Sequence, residues 1–232
     1  MTDRNLATLP VGGSGAGMGA GIASTIATHR VLRNTYALLS LTLMWAAAVA
    51  SAGVLFNWAH PGMLISLVGT LGLFFLVYKL RNSAAALPAV FALTGFMGYT
   101  LGPLVNSVMS LPGGAQSVAM ALGATGITFM GLSAFVLVTK RDFSFMGGFL
   151  FVGMVIALIA GLAAMFFQIP ALSLAVSAAV ALLSAGLILF ETSRIVNGGE
   201  TNYVMATVGL FLSIYNLFVS LLSLFGFAGS NE

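Results

Sequence analysis

Seven apolar runs with very few charged residues occupy most of the sequence after residue 35. A transmembrane helix needs about 20 mostly apolar residues to cross the hydrocarbon core of a bilayer, and each run has roughly that length. The runs are continuously apolar, whereas the strands of a membrane barrel alternate, so they favour helices. We predict an all-α membrane protein whose transmembrane domain covers residues 34–228. The predicted spans are Tyr36–Trp58, Gly62–Tyr78, Ala84–Met109, Ser117–Val138, Phe145–Phe167, Ala171–Phe190 and Tyr203–Phe227.

The few charged residues indicate how the chain is oriented in the bilayer. Charged residues form 6% of the chain, against about 25% in soluble domains, so lipid rather than water must surround the fold. All eight Lys and Arg residues precede the first span or follow the second, fourth or sixth. Because basic residues are retained in the cytoplasm, we predict a cytoplasmic N-terminus and an external C-terminus. Nothing in this distribution indicates nucleic-acid binding.

Residues 1–33 have a different composition from the rest of the chain. The stretch VGGSGAGMGAGIAST is rich in glycine and contains almost no large apolar side chain, which predicts a flexible cytoplasmic tail. Two interpretations stay open: a disordered leader, and a handle for a cytoplasmic partner. A signal peptide cleaved near Ala52 is a weaker alternative because the apolar run continues to Phe56. The glycines do not form a nucleotide-binding fingerprint.

Glu191 is the one acidic residue that lies inside an apolar stretch. A charge at membrane depth costs about 2.5–3.5 kcal/mol on insertion scales, so such residues usually serve a function. Helical spacing places it on one face of the sixth helix with three serines, and four polar residues share one face of the seventh helix. We expect the two polar faces to meet each other or a shared cavity. The serines and asparagine are Ser173, Ser177, Ser184, Ser213, Asn216, Ser220 and Ser223.

These polar residues have two possible roles. Ser and Asn side chains commonly join transmembrane helices by hydrogen bonds, without any further function. A carboxylate is rarely needed for packing, so Glu191 is also a candidate for a proton-sensitive latch or an ion ligand. Arg194 follows it by one helical turn and opposes the loss of its charge. The sequence leaves both roles open.

The third run contains GFMGYTLGP, in which Gly95, Gly98 and Gly102 share a helix face. Gly98 and Gly102 form a GxxxG pair, a pattern that allows another helix to approach closely. Pro103 would kink the helix or leave a carbonyl unbonded. We therefore consider a packing groove and, as the alternative, a broken helix that lines a pathway.

Catalytic and metal-binding motifs are absent from the sequence. The chain has no cysteine, and its two histidines, His29 and His60, have no acidic partner at ligand spacing. We assign them to the membrane interface without a chemical role. No HExxH or GxSxG motif occurs. The sequence therefore predicts a protein that is not an enzyme and has no cofactor or metal ligand set.

Three segments carry a family resemblance: GFMGYTLGP, LILFETSRIVNGGETNY and ATVGLFLSIYNLFVSLLSLFG. They resemble the Bax inhibitor-1 family, and most closely its bacterial YccA-like branch. The resemblance implies a bundle in which six helices surround the seventh. It also implies a bacterial inner-membrane protein that is both substrate and competitive modulator of an FtsH-type AAA protease, with the N-terminal tail as the engaged segment.

Some family members resemble pH-sensitive calcium leak channels, which gives the alternative function. Their latch consists of two aspartates, one at the Glu191 position and one at the Ser213 position. This chain keeps an acid at the first position but has LFLSIYN where the family pattern is LFLDIIN. One carboxylate has no second acid with which to share a proton, and calcium favours several charged oxygen ligands. A calcium or proton leak through Glu191 is thus the second hypothesis.

Overall fold

The computed structural model describes the backbone of residues 14–229 and the side chains of residues 28–227. Within these limits the chain forms seven α-helices and a short 3-10 helix at Ser144–Met146, and no strand. The helices are α1 (Ser14–Leu55), α2 (Met63–Leu80), α3 (Ala86–Met109), α4 (Gly114–Thr139), α5 (Gly147–Phe166), α6 (Pro170–Val196) and α7 (Tyr203–Gly229).

All seven helices are long and apolar enough to cross a membrane. Their outer surfaces carry large apolar side chains, such as Val138 and Phe166, which are both 82% exposed. Exposed apolar surface of this extent is compatible with a lipid environment and not with water. The prediction of an all-α protein with seven transmembrane helices is confirmed.

The first helix begins earlier than the sequence suggested. Residues 14–33, which we assigned to the flexible tail, belong to the same helix as the first span. The predicted boundary at residues 33 and 34 is therefore not a helix end. Residues 1–13 lie outside the described part of the chain, and the flexibility of the tail stays a prediction.

Helix α7 is the most buried of the described spans. It packs against α1, α3, α4 and α6, while α2 packs chiefly on α3 and α5 chiefly on α6. The seventh helix is central, as the family resemblance implied. The expectation that six helices surround it needs correction, because α2 and α5 form an outer layer.

The glycines of α3 bring its backbone close to α1. A Cβ atom at Gly98 would lie 2.5 Å from the carbonyl oxygen of Ala46. A Cβ at Gly102 would lie 3.0 Å from the Cα of Gly53. At Gly95 the space is filled by the indole of Trp45, whose Nε1 donates a hydrogen bond of 3.0 Å to a carbonyl of α3. These residues form a packing interface, the first of the two roles considered for GFMGYTLGP.

Pro103 lies inside α3 without interrupting it. The helix runs continuously from Ala86 to Met109. Proline lacks an amide hydrogen, so the carbonyl four residues earlier loses its usual donor even where the helix continues. The hypothesis of a broken helix at this position is wrong.

The helix ends that carry the basic residues are tied together by polar contacts. We call this side of the bundle the basic end. Its described Lys and Arg residues are Arg30, Arg33, Lys79, Arg81, Lys140, Arg141 and Arg194. Ser193 of α6 donates its hydroxyl to the carbonyl of Arg141 (3.1 Å) and accepts the amide of Phe143 (2.9 Å). The α4–α5 connection is thereby fixed to the end of α6.

Asp142 closes the same connection. Its carboxylate accepts the amide of Ser144 at 2.8 Å, which begins the 3-10 helix. Hydrogen bonds from the Ser144 hydroxyl, and then from its amide, hold the pKa of Asp142 below its usual value. Asp142 is therefore a charged turn residue at the surface of the basic end.

Candidate functional site

The α6–α7 connection positions the candidate site by fixing the start of α7. Asn202 accepts hydrogen bonds from the amides of Val204 (3.0 Å) and Met205 (3.1 Å), which makes it the N-cap of α7. Its amide nitrogen donates to the carbonyl of Arg81 (3.0 Å) and to the side chain of Asn82 (2.9 Å). The first turn of α7 is thus anchored to the α2–α3 turn.

Glu191 lies within α6, not after it. The helix extends to Val196, six residues beyond the predicted end at Phe190. Glu191 and Arg194 therefore occupy its last two turns, and the helical backbone fixes where their side chains leave the helix. This extension corrects our placement of Arg194 in the connection after the sixth span.

The carboxyl group of Glu191 lies directly against α7 at Gly209. A Cβ atom at Gly209 would lie 2.8 Å from the carboxyl carbon and 2.9 Å from Oε2. The carboxyl occupies the space that a side chain at this position would need. Gly209 is a site residue that the sequence analysis missed, and its signal was a glycine among the large apolar residues of the seventh run.

Glu191 has no polar partner in the described part of the chain. Within residues 28–227 its carboxyl forms no hydrogen bond and no ion pair. Arg194 instead binds Glu200, with Nη2 at 3.0 Å from Oε2. The basic residue that we expected to compensate Glu191 thus forms its ion pair with a different acid.

The remaining predicted site residues are distributed unevenly along α6 and α7. Ser213 and Ser220 are buried, and Ser213 donates its hydroxyl to the Gly209 carbonyl at 3.0 Å. Ser184 is buried too, and its hydroxyl has no partner within the described residues. Asn216 is half-buried. The predicted polar faces do meet the bundle interior over these positions.

The other end of the α6 face behaves differently. Ser173 is exposed and Ser177 is only half-buried. In that half α6 packs chiefly beside the outer helix α5, so its face leaves the central helix. The four polar residues of this face lie in one helix, as the spacing predicts, but only the part of the face near Ser184 and Glu191 lies against the bundle interior.

Three further polar contacts join the central helices to their neighbours. The hydroxyls of Tyr215 and Thr100 lie 3.3 Å apart and join α7 to α3. Thr207 donates to the carbonyl of Thr35 in α1 at 3.3 Å. A third pair, Ser133 with Thr192, joins α4 to α6 at 3.4 Å. Sequence reasoning missed these residues because single hydroxyls in apolar helices carry no distinguishing pattern.

The arrangement offers few ligands for a metal ion. Among the residues with described side chains, no three His, Asp or Glu residues lie close enough together to hold one. Calcium takes six to eight oxygen ligands, several of them usually carboxylates. Glu191 with neighbouring hydroxyls and carbonyls supplies one carboxylate only.

Comparison with known proteins assigns the chain to a family. Residues 28–230 match the family model described as "Inhibitor of apoptosis-promoting Bax1". The chain belongs to the Bax inhibitor-1 family. The match begins at Thr28, so residues 1–27 precede the family region.

Relatives in bacteria cover most of the chain. "Modulator of FtsH protease YccA" of Escherichia coli (strain K12) is 52% identical over 205 residues, which are 88% of this chain and 93% of the relative. "Inner membrane protein YccA" of Escherichia coli O6:H1 has the same identity and coverage. An "Uncharacterized membrane protein" of Vibrio cholerae is 44% identical over 209 residues, 90% of this chain and 94% of the relative. The predicted resemblance to the YccA-like branch of the Bax inhibitor-1 family is confirmed.

Proposed function

We propose that this Bax inhibitor-1 family protein is an inner-membrane regulator that binds and modulates an FtsH-type AAA protease. The observation that carries the proposal is the 52% identity, over 93% of its length, to a protein named as a modulator of that protease. Similarity over nearly the full membrane domain favours similar surfaces for a membrane-embedded partner. The name of a second relative, an inner membrane protein, supports the same compartment.

The N-terminal segment is the part that we propose the protease engages. Residues 1–27 precede both the family region and the first span, and they contain few large apolar residues. Segments of this composition contribute little to a packed core, and chain ends are preferred starting points for proteolysis. The membrane bundle that follows is tied together at its basic end. If the bundle is extracted from the membrane slowly, the protease stays bound to the segment. During that time it cannot degrade other substrates.

Deleting Met1–Ala27 tests this role. The truncated protein should insert and remain folded, because the deletion ends before the apolar run that begins at Tyr36. Its half-life in cells that contain the protease should rise severalfold, and we expect it to persist as a stronger inhibitor. Pulse-chase measurement of both chains gives the result. A Gly/Ser replacement of equal length is the control that separates segment length from sequence, and unchanged turnover of the truncated chain would contradict the handle.

The same proposal requires the basic end to face the cytoplasm. Reporter fusions at Glu232 and in the Lys140–Asp142 connection should report opposite sides of the membrane. The connection should be cytoplasmic, because basic residues are retained there. If both fusions report the same side, the seven-span topology in the membrane is wrong.

An ion leak centred on Glu191 is the second candidate function. Its support is the position of an unpartnered carboxyl beside the central helix, within the part of the chain whose side chains are described. Against it, Ser213 replaces the second acid of the family latch and donates its hydroxyl to the backbone. Calcium or proton flux through purified protein in liposomes would decide between the two candidates.

A further inference from the structure

A groove with basic walls lies between α1 and α4 at the basic end. It has a volume of about 710 Å³ and opens at the surface. Its described lining residues are His29, Arg30, Leu32, Arg33, Tyr36 and Leu137. We call it the basic groove. It lies apart from Glu191 and Gly209, which do not line it.

The packing of the two helices explains why a groove forms here. Helix α1 packs on α3 and α7, whereas α4 packs on α7 and α6. The rings of Tyr36 and Phe129 bring α1 and α4 together, with centroids 6.1 Å apart. His29 lies about 10 Å from Tyr36 along α1, given the helical rise of 1.5 Å per residue. The basic groove lies along this part of α1, between His29 and Tyr36.

The arginines of the basic groove are not paired with an acidic residue in the described part of the chain. Arg30 and Arg33 are three residues apart and therefore share a helix face. Both are exposed, and neither forms an ion pair within residues 28–227. His29, which also lines the groove, adds an imidazole that can donate a hydrogen bond. An anion is the ligand that these side chains suit.

A third donor lies deeper in the basic groove. Tyr36 lines it, and its hydroxyl is buried without a hydrogen-bond partner among the described residues. Buried hydroxyls are normally hydrogen-bonded, so an unpaired one indicates a missing ligand or water. Guanidinium groups bind phosphate oxygens by charge-assisted hydrogen bonds, so the two arginines of the groove suit a phosphate group.

The depth of the basic groove in the membrane favours a lipid headgroup over a free anion as its ligand. The apolar run of the first span begins at Tyr36, so Arg33 and Arg30 precede it by one to two helical turns and lie at the level of the headgroups. Leu32 and Leu137 add half-buried apolar walls along which an acyl chain can run. Basic pockets between helices on the cytoplasmic side suit anionic headgroups. We propose that the basic groove binds the phosphate group of an anionic phospholipid.

Lipid titration followed by native mass spectrometry tests the proposal on the full chain. Phosphatidylglycerol and phosphatidylcholine are the two probes. One cation near an anionic lipid contributes about 1 kcal/mol, which is about fivefold in affinity. We therefore expect the double variant Arg30→Gln/Arg33→Gln, which removes two cations, to bind phosphatidylglycerol about 25-fold more weakly. Tyr36→Phe, which keeps the ring contact, should weaken binding by about threefold.

The variant Lys140→Gln/Arg141→Gln is the matched control. It removes two charges from the same end of the bundle, at exposed residues that do not line the groove. Its affinity should stay within about twofold of the original. Equal losses in the two double variants would overturn the site in favour of general surface attraction. Competition by millimolar inorganic phosphate would overturn the lipid assignment, as would equal binding of phosphatidylcholine.

Discussion

Replacing Gly98 by alanine should destabilise the protein by about 2 kcal/mol or more, within the range for overpacked positions. The new Cβ would lie 2.5 Å from the Ala46 carbonyl oxygen and 3.0 Å from the Ala46 Cα. Both atoms belong to the backbone of α1, so no side-chain rotation can relieve the contact. The two helices must separate along their shared face. Denaturant or thermal unfolding in mild detergent measures the change.

Gly126 of α4 provides the matched control for this substitution. A Cβ at Gly126 meets nothing within 4 Å, so alanine fits there without strain. Alanine also has a higher helix propensity than glycine, by about 1 kcal/mol in soluble helices, which favours a neutral or stabilising effect. The two Gly→Ala variants should therefore shift stability in opposite directions or differ clearly in size. Equal effects would mean that close packing of α1 on α3 is not what Gly98 provides.

This interface shows how far the sequence could predict the fold. Helical spacing identified the smooth glycine face of α3, because that pattern is local. It could not identify the partner, since Ala46 and Gly53 are common residues in an apolar helix. The outer positions of α2 and α5 were equally hidden. Every span is apolar on all sides, so composition does not separate faces that contact lipid from faces that contact protein.

The candidate site was predictable to a similar degree. Glu191 was identifiable because a carboxylate at membrane depth is costly. Gly209 was not, because its role depends on a contact between two helices. His29 and Arg30 were assigned only to the interface and to orientation, since the groove that they line exists only once α1 and α4 are placed. Contacts that depend on packing angles leave no periodic signal in the sequence.

Substitutions at Glu191 should stabilise the folded protein, in contrast to most changes at buried positions. The carboxyl has no hydrogen bond or ion pair in residues 28–227, and the residue is half-buried, so folding removes part of its hydration without providing a polar partner. Glu191→Met keeps the length of the side chain and removes the polar group. A buried polar group that lacks a hydrogen-bond partner costs about 1–3 kcal/mol, and its removal relieves part of that cost. We expect the free energy of unfolding in detergent to be lowest for the original chain, higher for Glu191→Gln and highest for Glu191→Met.

Glu200 is the internal comparison for that series. It accepts a hydrogen bond of 3.0 Å from Arg194 and a second from the amide of Asn202 at 2.9 Å. Glu200→Gln weakens the ion pair and should lower stability by about 0.5–1 kcal/mol, because the pair is partly exposed. We therefore expect Glu191→Gln to raise the free energy of unfolding and Glu200→Gln to lower it. A loss of stability in Glu191→Gln would show that its carboxyl has a partner in the membrane.

The functional consequence of Glu191→Met follows from its stability. A residue that destabilises the fold is retained when function requires it, as is common at active and binding sites. We therefore expect Glu191→Met to accumulate at least as well as the original chain while its effect on the protease falls severalfold. Measuring protease turnover of a second membrane substrate in cells that express each chain gives the comparison. If Glu191→Met is more stable and modulates the protease fully, Glu191 has no part in that function, and its place beside Gly209 would then favour the leak hypothesis.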